Sequence, residues 1–267
     1  MVTERYSEID EVIAYIHQNI YEPLPLSRLA AYAAYSPYHF TRIFKERTGL
    51  PPLYYVSALR LQKAKDLLLR THLSIRDVGL EIGQQSLGTF TTRFTERVGM
   101  TPSDFRHSRH RAENSFQSLR ELRDWGPDGS LVSPSYARIT GTVWSEAPFS
   151  GIVLIGLFAK PIPEGLPLYG TLISSARREF CLPNVRPGTY YLMATSVSWG
   201  MQAMDFLLPH NTLRTRSKEP LVVQPPIPVP YQEVKLYPPR PDDPPILISL
   251  PVLMDRFLRQ TAYEGSP

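Results

Sequence analysis

The sequence predicts a chain of two structural classes, an all-α N-terminal half followed by an all-β half. Three observations carry that division. Proline is unevenly placed: residues 1–110 hold 6 of the 27, residues 111–135 hold 2 and the rest of the chain holds 19. Because proline breaks helices and avoids central strands, the first part is free to be helical and the last must be turns and short strands. Apolar residues in the first part recur at three- and four-residue spacing, as in Ile9, Val12, Ile13, Ile16 and Ile20, which is the stripe of an amphipathic helix. Finally, "HFTRIFKERTGLPP" (His39 to Pro52) returns fifty positions later as "TFTTRFTERVGMTP" (Thr89 to Pro102), with Phe, Thr, Phe, Glu, Arg, Gly and Pro in matching places.

The helical elements follow in order. "EIDEVIAYIHQNI" carries the first stripe, "LSRLAAYAAY" (Leu26 to Tyr35) is short and alanine-rich, and "PLYYVSALRLQKAKDLLL" (Pro52 to Leu69) is longer. "SIRDVGLEI" opens on Ser74 with Asp77 three residues on, an N-cap with its reciprocal acid. Each repeated stretch starts behind a serine cap, Ser36 or Ser86, and stops at Gly49 or Gly99 before a proline. Residues 111–135 are expected as a helical linker closing on the turn Gly126 to Ser130. Beyond it, "ARITGTVW", "GIVLIGLFAK", "REFCLPNV", "GTYYLMATS", "PLVVQ", "YQEVKLY" and "PILISLPVL" read as short strands separated by turn residues. Residues 136–253 therefore form the expected β-sandwich, and 254–267 a tail.

On a helix of 3.6 residues per turn, Phe40, Ile43 and Phe44 share one face, while Tyr38, Thr41, Arg42 and Lys45 share the opposite one. A short helix, a tight turn and a second capped helix with an exposed basic face make a helix-turn-helix, whose second helix suits the DNA major groove. An arginine there can bond guanine O6 and N7 together.

These stretches, with "SIRDVGLEIGQQS" and "FTTRFTERVGMTPSDFR", resemble the AraC/XylS family of bacterial transcription regulators over about residues 5–108. The resemblance implies a double helix-turn-helix domain at 1–110, its subdomains joined by the long central helix and its two recognition helices entering successive major grooves of double-stranded DNA. It makes Pro37, Tyr38, Thr41 and Arg42 the base-facing group of the first recognition helix, and Leu87, Gly88, Thr91 and Thr92 that of the second. Helix N-termini at Ser36 and Ser86 suit phosphate. Lys45, Arg47 and Arg97 are phosphate candidates, with a structural ion pair open as the other reading of the two arginines. The second copy departs from the family pattern at Gly79, Gln84 and Arg93. The first subdomain is therefore expected to supply most base discrimination. An activator touching RNA polymerase is implied by the same resemblance.

Residues 136–252, with "RITGTVW" and "NVRPGTYY", are similar to carboxypeptidase-regulatory-like (prealbumin-like) sandwich domains, which are structural or interaction modules. This half could bind a small-molecule effector or mediate self-association. Trp144, Tyr190, Tyr191 and Trp199 could line such a pocket, but filling the sandwich core is the favoured reading.

Bulk properties set limits on function. Net charge is +4 and a single cysteine, Cys181, permits no internal disulfide. Neither a signal peptide nor an apolar run of roughly 18 residues is seen, so the cytoplasm is expected, with no membrane partner. His107 and His110 have a spacing that could begin a metal site, yet lack evident partners. No phosphate loop, dinucleotide fingerprint or catalytic motif is found, so no enzyme activity, metal or cofactor is expected. The competing expectation is an adaptor whose helical half binds DNA weakly and whose sandwich takes a protein partner.

Overall fold

The computed structural model describes residues 7–122 and 136–264, and among these residues there are ten helices and eight strands. The turn expected at Gly126 to Ser130 lies outside the described residues. Two units separate by their contacts: residues up to 106 together with 240–247, and residues 107–239 with those from 248 onward.

In the first unit, α1 (Ser7–Gln18) buries Ile9, Val12, Ile13 and Ile16, the residues of its sequence stripe. Helices α2 (Leu26–Tyr32) and α3 (Pro37–Thr48) form the first helix-turn-helix. α4 (Pro52–Arg70) then runs 19 residues, about 28 Å at 1.5 Å per residue. The second helix-turn-helix is α5 (Ile75–Glu81) and α6 (Leu87–Val98), closed by α7 (Pro102–Arg106). The caps form as their residues dictate. Ser36 Oγ accepts from the His39 amide at 3.4 Å and Ser86 Oγ from the Thr89 amide at 3.4 Å. Gly49 and Gly99 end their helices at φ 80° and 87°, the left-handed geometry that glycine adopts most readily.

The repeat reaches further than the recognition helices. Phe44 meets Tyr55 edge-on with ring centroids 5.5 Å apart, and Phe94 meets Phe105 likewise at 5.7 Å. The start of α4 and the whole of α7 are thus the same aromatic lid, fifty residues apart. The preceding turns also match in bonding. In the first, the Tyr35 amide donates to Ala30 O at 2.9 Å and the Ala34 amide to Ala31 O at 3.0 Å; in the second, Gln84 donates to Gly79 O at 2.8 Å and Gly83 to Leu80 O at 2.9 Å. The left-handed residue is Ala34 (φ 54°) in one and Gly83 (φ 79°) in the other. These equivalent positions are 49 apart, so the second turn holds one more residue before its serine cap.

The second unit contains two sheets. β1 (Ala137–Ser145) lies between β4 (Glu179–Val185), antiparallel to it, and β8 (Gln232–Leu236), parallel to it. The larger sheet has the order β3 (Tyr169–Ser174), β2 (Gly151–Phe158), β5 (Gly188–Ser198), β6 (Arg214–Arg216), with β7 (Leu221–Val223) also pairing β5. Ile139, Val143, Val153, Ile155, Leu157, Leu182 and Leu192 are among the residues of both sheets that pack in one buried cluster. Every residue of β2 is buried, as expected of a strand covered on both faces.

Helices also belong to this unit. α8 (Arg109–Glu121) overlaps the expected 111–135 linker but buries Ala112, Ser115, Phe116 and Leu119. The Phe116 ring lies 4.9 Å from that of Phe206 on α9 (Ala203–Leu207) and 5.4 Å from that of Trp199. α10 (Leu250–Glu264) begins within the strand expected through "PILISLPVL", whose first residues are neither helix nor strand, and continues through the tail expected from 254. Pro251 is its second residue, where a helix has no amide to lose. Arg111 on α8 pairs with Asp255 on α10 at 2.6 Å, and the Ser115 hydroxyl donates to the same carboxylate. The apolar residues of α8 are few and widely spaced, which is why its sequence reads as a connector.

Candidate nucleic-acid interface

The capping and packing just described decide which side chains of α3 and α6 remain available. Phe40, Ile43, Phe44 and Thr48 are buried on α3, and Phe90, Phe94 and Val98 on α6. On the opposite face of α3, Pro37, Tyr38, Arg42 and Lys45 are exposed and Thr41 is half-buried. Tyr38 is 84% exposed. Arg42 Nη2 lies 3.5 Å from His39 Nδ1, which leaves most of its donor fork directed outward. Thr41 Oγ1 donates to Pro37 O at 2.8 Å, so its methyl group is the part left to an outside partner.

On α6 the corresponding face holds Leu87, Gly88 and Thr92, all exposed, and Thr91, half-buried. None of these can donate two parallel hydrogen bonds to a base edge. The departures noted in the second copy are coupled. Arg93 Nη1 donates to Gln84 Oε1 at 3.3 Å, on the side of α6 away from that face. A methyl on Gly79 would stand 3.2 Å from Phe90 Cδ1, so the Phe90 ring occupies the space an alanine would use.

Ser36 and Ser86 spend their hydroxyls on the caps, and what they offer an anion is the helix N-terminus itself. Lys45 is exposed, as a phosphate contact requires. Arg47 and Arg97 are engaged within the fold. Arg47 holds Asp10 of α1 through Nε at 2.9 Å and Nη2 at 3.1 Å, and Asp242 through Nη1 at 3.2 Å. Arg97 bonds Ser57 Oγ at 3.2 Å and stacks its guanidinium 4.6 Å from the Tyr54 ring centre, both on α4. In each copy the arginine ties the recognition helix back to the preceding long helix. A guanidinium engaged on two sides has few donors left for phosphate.

One ionisable group was not singled out from sequence. Lys65 of α4 is 1% exposed. Its Nζ donates to Ile246 O and Leu247 O at 3.2 Å each and lies 5.4 Å from the Phe105 ring centre. Burial lowers its pKa to about 7, against a smaller upward pull from Asp66. The acceptors lie about 180 residues away in sequence, so no local pattern signals them.

In the second unit, Tyr190 is buried within the sandwich cluster, as the core reading expects, whereas Trp199 is half-buried and packs on Phe116 of α8 instead. Trp144 is instead 43% exposed, with Lys235 Nζ 4.7 Å from its ring centre. Cys181 is half-exposed and lines a cleft of 360 Å³ with Leu154, Leu172, Leu182, Arg256 and Phe257 among others. His110 Nδ1 lies 3.1 Å from Asn114 Nδ2. Among the described residues no cluster of three metal-ligating side chains occurs and no helix is long and apolar enough to cross a membrane.

Comparison with known proteins places these features. A family model described as a helix-turn-helix domain matches residues 29–108. Over 96 residues the chain is 36% identical to the uncharacterized HTH-type transcriptional regulator YobQ of Bacillus subtilis, covering 36% of this chain and 40% of that protein. It therefore spans about two-fifths of the length of that relative. Over 102 residues it is 30% identical to the HTH-type transcriptional activator AarP of Providencia stuartii, covering 38% of this chain and 76% of that one. Among solved structures it is similar to an AraC-type transcriptional regulator from Chromobacterium violaceum, with 32% identity, a TM-score of 0.37, and coverage of 38% of this chain and 90% of that one. With its two serine-capped, glycine-terminated recognition helices on one helical unit, the chain belongs to the AraC-type helix-turn-helix family.

Proposed function

We propose that this protein is a transcription regulator that binds duplex DNA through α3 and α6, one in each of two successive major grooves. The observation that carries the reading is the face of α3 bearing Tyr38, Arg42 and Lys45, which the fold leaves exposed on a helix otherwise anchored by phenylalanines. Arg42 supplies the bidentate donor for guanine, Tyr38 an aromatic surface against the groove wall, and Thr41 a methyl for thymine. Thr91, Thr92 and Leu87 of α6 give apolar contacts, while the N-termini behind Ser36 and Ser86, with Lys45, take phosphates. The 28 Å of α4 is of the order of one DNA turn, ~34 Å, which separates such grooves.

The relatives' names support control of transcription, and an activator acting through RNA polymerase in the cytoplasm is the form we adopt. The second unit is read as a non-catalytic, prealbumin-like module for effector binding or self-association. No cofactor is assigned to it.

The test is selection of genomic fragments by the purified chain at physiological salt. One asymmetric motif should be enriched, better defined in the half that α3 reads, with a preference of roughly 10³-fold or more over random DNA. The thin reading face of α6 favours one alternative, an adaptor that holds DNA weakly. Retention of fragments without any motif would establish that reading instead.

A further inference from the structure

The chain leaves the second unit after Pro239, contributes residues 240–247 to the helical unit, and re-enters the second at Ile248. This segment, "RPDDPPIL", is neither helix nor strand, yet every residue from Asp242 to Leu247 is buried. Its contacts follow a line. Asp242, 4% exposed, pairs with Arg47 at the end of α3 at 3.2 Å. The Tyr55 hydroxyl donates to Pro241 O at 3.2 Å. Ten residues further along α4, about 15 Å, Lys65 donates to Ile246 O and Leu247 O. Asp243 closes a turn by accepting from the Arg240 amide at 2.9 Å.

The chemistry of the segment suits a groove of donors. Pro241, Pro244 and Pro245 have no amide hydrogen, so an extended backbone can be buried there without stranding donors. Its carbonyls remain free to accept from tyrosine and lysine. Proline also limits the freedom lost on docking. The groove is complementary: one guanidinium, one phenol and one amine, each fixed in a helix.

We propose that residues 240–247 are an intramolecular strap whose seating along α3 and α4 fixes the first recognition helix against the central helix. Because both ends of the strap continue into the sheet-bearing unit, a change in that unit that pulls on residues 239 or 248 acts on α3. This goes beyond the DNA-binding reading by naming the segment through which the second unit influences it.

The test uses the full chain with residues 241–247 replaced by glycine and serine at equal length, beside the milder Asp242→Asn. Hydrogen exchange is read peptide by peptide. The replacement should raise exchange at least 10-fold in α3 and the first half of α4, and leave α6, β2 and β5 unchanged. A synthetic peptide of residues 238–249 added in trans should restore protection. Asp242→Asn should act only on the last turn of α3. Unchanged exchange in α3 and α4 would overturn the proposal. So would equal loss across α6, which would make the segment ordinary core. Affinity for a selected DNA motif should fall at least 10-fold in the replacement; undiminished affinity would overturn the link to α3. If the wild-type chain selects no motif, the function proposed above fails, while exchange still decides the strap.

Discussion

Replacing Lys65 with methionine should remove a pH dependence from the stability of the helical unit. Burial lowers this amine from the ordinary 10.5 to about 7, with Asp66 opposing the shift. Unfolding returns it to water and to its ordinary value. Between those two pH values the unfolded chain binds more protons than the folded one, so stability rises with pH. From about pH 7.5 to 9.5 the gain is about 2.5 kcal/mol, at roughly 1.4 kcal/mol per unit of unequal protonation. Below about pH 7 both states are protonated and the dependence levels off. Methionine keeps the volume but leaves two buried carbonyls without their donor, at about 1–3 kcal/mol each. That loss runs against the cost of burying the amine, so the slope with pH, rather than the stability at one pH, is the informative quantity. Guanidinium unfolding followed at 222 nm, which the helix-rich unit dominates, would measure it for both proteins at both pH values. Everything but residue 65 is common to the two proteins, so the difference between the two slopes is the readout. If the methionine variant gained as much as the wild type, Lys65 would not be held at the expense of its charge and the burial argument would fail.

Three further outcomes are expected. Arg42→Ala should weaken the selected motif by about 1–3 kcal/mol and relax preference at one base pair; equal loss on cognate and scrambled DNA in competition titrations would reassign Arg42 to the backbone. Ala34→Gly should stabilise the first turn by about 0.5–1 kcal/mol, since Ala34 sits at φ 54°, where a Cβ is strained; chemical denaturation would register the gain. Gly141→Ala should destabilise the sheet unit by about 3 kcal/mol, because its methyl would fall 2.2 Å from the Gln232 backbone oxygen, and thermal melting followed by tryptophan emission would detect it.

How much of this was readable depended on sequence distance. Ser36, Ser86, Gly49 and Gly99 act within a turn of where they stand, so their pattern gave the recognition helices and their limits. The exposed face of Tyr38, Arg42 and Lys45 followed from the same local geometry. The equivalence of Ala34 and Gly83 was hidden because the turns align at 49 while the recognition helices align at 50. Arg47 and Arg97 could be read as phosphate ligands because their partners are remote: Asp242 lies 195 positions after Arg47, and Ser57 lies 40 before Arg97. Lys65 on a long helix looks like any solvent-facing lysine until Ile246 and Leu247 cover it. α10 was missed for a different reason, since Pro251 early in an apolar run argues against a helix unless it falls in the first turn.

The path of the chain also imposes an order of assembly during synthesis. Helices α1 to α7 are complete once residue 106 has been made, but the carbonyls that receive Lys65 belong to residues 246 and 247. At about 5–20 residues per second, those last residues follow roughly 7–30 s later. Throughout that interval a finished set of helices lacks both the carbonyls that Lys65 bonds and the Asp242 carboxylate that pairs with Arg47. The contacts at the end of α3 and along α4 are therefore completed only when residues 242–247 have been made, so a chain stalled before them lacks the Asp242 partner of Arg47 and the carbonyl acceptors of Lys65.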